Sequence, residues 1–115
     1  MKKRRLGILI LVLLVICSGW IVVLDLKKTE RVVYVPLPLK TQQMAATIPP
    51  FGIFIHAKYR DEGAGRGSIL AHERVHWDQY KRMGLIKFYY QYLTEYFRNG
   101  RIHHSMEEEA RRKSM

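Results

Sequence analysis

Ser68-Ile69-Leu70-Ala71-His72-Glu73-Arg74-Val75-His76-Trp77-Asp78-Gln79-Tyr80-Lys81-Arg82-Met83-Gly84 is the segment on which the fold turns. Ser68 is a side chain suited to an N-cap and Gly84 a residue suited to a stop, so the spacing predicts one helix between them. Inside it stands an H-E-x-x-H, His72 to His76. Two imidazoles four residues apart differ by about 40° round a helix, so both project from one face within reach of one ion. Glu73 lies about 60° from His76 on the same side, where it need not bind the ion but can take a proton from a water that the ion activates. Arg74 and Asp78 fall about 200° and 240° from His72, on the solvent side. Two neutral imidazoles and one carboxylate suit zinc and leave one position open.

Upstream, residues 51–59 alternate Phe51, Ile53, Ile55, Ala57 and Tyr59 against Gly52, Phe54, His56 and Lys58, the period of a half-buried strand. Residues 60–67 contain three glycines and read as a loop, matching neither a P-loop nor G-x-G-x-x-G. Downstream, residues 85–97 place apolar and aromatic side chains at helical spacing and end at Asn99-Gly100. Ser105-Met106-Glu107-Glu108 then opens a third helix as a capping box, with Ser105 at N-cap and Glu108 at N3.

The N-terminal part is of a different kind. Leu6 to Leu24 is apolar without a charge, about 19 residues and about 28 Å as a helix, enough to cross a bilayer's hydrocarbon core. It continues through Trp20, Val22, Val23 and Leu24 where a cleaved signal would end in small residues, so a retained anchor is expected. Lys2, Lys3, Arg4 and Arg5 precede it, which favours a cytoplasmic N-terminus and an extracytoplasmic C-terminal domain, periplasmic if the cell is bacterial. Residues 31–35 are β-branched and aromatic, but Pro36, Pro38 and Pro49-Pro50 interrupt the chain after them, so residues 25–49 read as a stalk.

Of the 115 residues, 20 are Lys or Arg and 10 Asp or Glu, a net charge of +10. The leader holds four of those charges, the rest is mild and spread out, and no later stretch interleaves Arg and aromatics as nucleic-acid modules do, so nucleic acid is not the expected partner. The single cysteine, Cys17, lies within the apolar run, which excludes an intramolecular disulfide and a Cys-ligated zinc finger. Any metal must use His and carboxylates.

A third protein ligand is required, and an all-histidine extension fails because Gln79 and Arg82 stand where Gly and His would be needed. The remaining source is Glu107-Glu108-Glu109. Glu108 is committed to the cap, and Glu109 lies about 200° from Glu107, so only one of these two can face the metal helix. With His72-Glu73-Arg74-Val75-His76 and Glu107-Glu108-Glu109-Ala110, the chain resembles the gluzincin group of zinc metallopeptidases over about residues 50 to 112. In that group a Glu on a later helix, often within E-x-x-A, completes the site. The resemblance implies an α+β zincin-like domain at 50–115 behind a basic leader (1–5), an anchor (6–24) and the stalk. It implies one zinc per chain on His72, His76 and Glu107, with Glu73 as general base in the hydrolysis of peptide bonds. It also implies that residues 51–59 pair with an extended polypeptide substrate. His103, His104 and Tyr80 are the candidates, by chemistry, for stabilising the oxyanion. Two rival expectations stand beside this one. One is a zinc-stabilised, non-catalytic, membrane-anchored interaction module, and the other a basic binder of membrane surfaces or nucleic acid.

Overall fold

The computed structural model describes residues 2–36, 45–100 and 103–115. Its architecture is α+β, an N-terminal apolar helix followed by a three-stranded sheet and then three helices. The residues expected to form an anchor lie in α1 (Lys2–Lys27), none of whose residues is buried against the rest of the chain. By length and composition it can cross a membrane.

The sheet holds β1 (Val32–Val35), β2 (Ala45–Ile48) and β3 (Gly52–His56) in the order β1-β3-β2. β3 runs parallel to β1, Val32 opposite Ile53, and antiparallel to β2, Thr47 opposite Ile53. The expected stalk therefore supplies two of the three strands. Pro38, expected as a breaker, lies outside the described residues. The strand expected over 51–59 is shorter, because a 3-10 turn (Ala57–Glu62) takes over after His56. Its alternation is real, with Ile53 and Ile55 buried. Gly52 opens β3 at φ 146°, a conformation that side-chain-bearing residues avoid, and a Cβ there would stand 2.6 Å from the carbonyl oxygen of Arg31.

The sheet packs on α2 (Ile69–Met83), and α3 (Leu85–Asn99) and α4 (Ser105–Ser114) pack in turn on α2. Ser68 Oγ accepts from the Ala71 amide at 3.1 Å, and the Gly84 amide closes the other end on the Tyr80 carbonyl, so α2 begins and stops as its sequence implies. Gly100 closes α3 in the same way on Tyr96. The core is Ile53, Ile55, Leu70, Trp77, Tyr80, Phe88 and Met106, with the aromatic rings of Trp77, Tyr80 and Phe88 meeting edge to face. α4 departs from expectation at its cap. His104 is the N-cap, its Nδ1 accepting from the Met106 amide at 3.2 Å, and the first helical bond runs from the Glu108 amide to the His104 carbonyl. The helix thus starts one residue earlier than a Ser105 capping box would place it, and Ser105 Oγ instead donates to Glu95. Glu107, not Glu108, occupies N3.

Candidate metal centre

α2 presents His72 and His76 from one face, their ring centroids 5.1 Å apart, and α4 brings Glu107 up to them. One ligand atom from each of the three lies within 4.8 Å of the others. Glu107 Oε2 is 3.0 Å from His72 Nε2, and Oε1 is 3.2 Å from His76 Nε2. Glu109 points elsewhere. It pairs with Arg82 at 2.5 Å and Lys113 at 3.7 Å, and these charges with the Gln79 hydrogen bond lower its pKa against the opposing effect of burial. Arg74 and Asp78 are exposed, as the helical wheel requires, and Arg74 pairs with Glu30 at 2.9 Å.

The protonation pattern follows from a residue that the spacing rules pass over. Gln79 Nε2 donates to the Met106 carbonyl at 3.0 Å, an oxygen that can only accept, so the amide's orientation is settled. Gln79 Oε1 must then accept from His76 Nδ1, 2.8 Å away. With its proton on Nδ1, neutral His76 turns a bare lone pair on Nε2 toward Glu107. That nitrogen is buried and, although Glu107 Oε1 is near, the approach lacks hydrogen-bond geometry. A buried imidazole nitrogen left without a hydrogen bond, beside a second imidazole and a buried carboxylate, fits a cation seated among the three.

The carboxylate is prepared as well. Burial alone would raise the Glu107 pKa, but the contacts from His72 and His76 and the Tyr92 hydroxyl, 2.7 Å from Oε1, hold it far below the usual carboxylate range. His76 responds in the opposite sense. Burial works to lower its pKa, yet Glu107, Gln79 and Glu73 outweigh that and raise it above 6.5. Glu73 is buried beside the triad, and Thr47 on β2 places its hydroxyl 2.6 Å from Glu73 Oε2 and 3.0 Å from the Glu73 carbonyl oxygen. With a single proton, that hydroxyl serves one of the two acceptors at a time.

The three residues proposed by chemistry for the oxyanion are placed differently. Tyr80 is wholly buried and its hydroxyl donates to Asp25 at 2.5 Å, at the foot of α1; burial, followed by that hydrogen bond and the carboxylate's charge, raises its pKa. His104 is equally buried and has both ring nitrogens engaged, Nδ1 in the cap and Nε2 on the Tyr92 carbonyl at 2.7 Å. His103 is exposed on the turn before α4. Tyr92 is the hydroxyl at the triad. Its signal in the sequence is one tyrosine among the four in α3, which periodicity alone does not single out.

The expected pairing of a substrate with residues 51–59 is also corrected. β3 is the central strand, hydrogen-bonded on both sides. β2, which carries Thr47, is the edge beside Glu73, and among the described residues no strand pairs with its outer side. Compared with protein-family models, curated proteins and solved structures, the chain matches none, so its chemistry is read from this donor set alone.

Proposed function

We propose that the chain is a membrane-anchored zinc metallopeptidase of the gluzincin kind, holding the ion on His72, His76 and Glu107. The observation that carries this reading is the hydrogen-bond-free Nε2 of His76, buried at the point where His72 and Glu107 converge, with Glu73 one residue along the same helix. When bound, the ion would polarise the scissile carbonyl and make water acidic enough to attack at neutral pH. Glu73 takes the proton as the water oxygen bonds to the carbonyl carbon, and passes it to the nitrogen as the C–N bond breaks. Thr47 orients that carboxylate from the side. The open edge of β2 offers backbone donors and acceptors to an extended polypeptide, while Tyr92, its one hydroxyl proton given to Glu107 Oε1, steadies the third ligand. The basic leader sets the N-terminus in the cytoplasm and the domain outside it.

Metal analysis and peptide hydrolysis by the full chain in detergent test the reading together. Wild type should carry close to one zinc, His72→Ala should lose it, and Glu73→Gln should keep the zinc and lose hydrolysis. Full zinc in His72→Ala places the metal elsewhere. Zinc in wild type with no hydrolysis of any unfolded polypeptide would leave a zinc-stabilised interaction module instead.

A further inference from the structure

The outer face of α3 is apolar and exposed. Ile86, Tyr90, Leu93 and Phe97 fall within about 60° of one another round the helix. Ile86 is 85% exposed, Tyr90 72% and Phe97 82%. A stripe of this kind in water is unfavourable and calls for an occupant. The inner face, carrying Phe88 and Tyr92, is occupied by the core and by Glu107. Lys87 and Arg98 lie together on one side of the stripe, about 90° and 110° round the helix from its centre.

The position of the stripe identifies its occupant. Ile86 and Tyr90 share one groove with Ile21 and Val22 of α1. Those two residues belong to the last turns of the apolar span, so what stands beside them stands at the edge of the bilayer. The foot of α1 is tied to α2 there, by the Tyr80 hydroxyl on Asp25 and by the Lys28 ammonium over the Tyr80 ring at 5.3 Å. Aromatic residues concentrate at that depth, and Trp20, exposed on α1, lies close by in sequence. A helix with an apolar stripe containing tyrosine and phenylalanine, basic residues along one side of it, and a place at the end of a span has the design of an interfacial helix.

We propose that α3 lies in the membrane interface, with Ile86, Tyr90, Leu93 and Phe97 seated among the lipid headgroups and upper acyl chains and Lys87 and Arg98 meeting anionic headgroups. The inference rests on reading α1 as the anchor. It deepens the proposed function, because the helix that supplies Tyr92 to Glu107 on one face then meets lipid on another. The site accordingly works on polypeptide segments at the membrane surface.

The test uses the full chain in vesicles of phosphatidylcholine and phosphatidylglycerol, on a Cys17→Ser background with one spin-labelled cysteine at a time. The labelled variants are Leu13→Cys in α1, Tyr90→Cys and Phe97→Cys in α3, and Asp78→Cys on the exposed side of α2. Labels at 13, 90 and 97 should collide several-fold more with oxygen, relative to a water-soluble nickel chelate, than the label at 78 does. Labels at 90 and 97 should sit about 5–10 Å below the headgroups. If they behave like the label at 78 while that at 13 remains in lipid, the interfacial helix is refuted and the anchor stands. If the label at 13 is also in water, the anchor itself falls. Labels at 90 and 97 that are immobilised and shielded from both reagents would show a protein partner on this face and overturn the proposal.

Discussion

Each group of the triad has a neighbour that determines what it can do. Gln79 holds the His76 tautomer from 2.8 Å, so Gln79→Leu should weaken zinc binding by about 10- to 100-fold without abolishing it. A chelator-competition titration measures this, and an unchanged affinity would break the tautomer argument. Thr47 stands in the same relation to Glu73. Thr47→Val keeps the shape, removes the hydroxyl, and should lower kcat on the order of tenfold with zinc content unchanged. Loss of metal in this variant would mean that Thr47 supports the fold of the site and not its base. His72, Glu73 and His76 are legible in the sequence because their relation is local, fixed by the turn of one helix. Glu107 is legible in part: a capping box that does not form sets Glu108 aside, the wheel lets only one of Glu107 and Glu109 face the histidines, and the resemblance selects the first. Gln79 and Thr47 are not, because the partners that give them their roles lie 27 and 26 residues away in the chain.

At the scale of elements, α2 and α3 are readable from periodicity and from their glycine stops. β1 and β2 are not. Each has four residues, too few for alternation to stand out, and while β2 joins β3 as a hairpin through Pro49-Pro50, β1 pairs with β3 from far along the chain, Val32 opposite Ile53. The cap of α4 is missed because His104 acts through a ring nitrogen where a hydroxyl is the usual signal. The sheet depends on close approach at one point. Gly52→Ala would force a Cβ to within 2.6 Å of the Arg31 carbonyl, which accepts from the Ile53 amide at the start of the β1–β3 ladder. The variant should lose about 1–3 kcal/mol, seen as a lower urea midpoint at unchanged slope. Wild-type stability would show that the strands can separate there at no cost.

For the whole molecule, an ion held between α2 and α4 is a clasp joining the ends of a small domain. Zinc in about thousandfold excess over its Kd should add about 4 kcal/mol, roughly 15–30 °C in Tm for a domain of this size. His72→Ala should remove that gain. The pH dependence comes from the two shifted groups. The raised pKa of His76 stabilises the metal-free fold below the ordinary 6.5 and ceases to do so as pH rises through the higher folded value. The depressed pKa of Glu107 stabilises it above the ordinary 4.5, and this is lost in acid. Protons and metal compete for His76, so the Tm gain from zinc should widen between about pH 6 and pH 8. Paired melts with and without chelator across that range measure it, and a constant gap would contradict the competition.

The hydrogen bond from Tyr80 to Asp25 has a consequence of its own. It joins the foot of α1 to the helix that bears both histidines, so the domain is bolted to its mast and not hung from a cord. A corded head would sweep out a volume and reach targets at many heights. With α1 as the proposed anchor, a bolted head keeps a single altitude and bearing, and explores only by drifting in the plane of the lipid. Its encounters then become a two-dimensional problem, governed by how many targets share that plane and how far their chains rise from it.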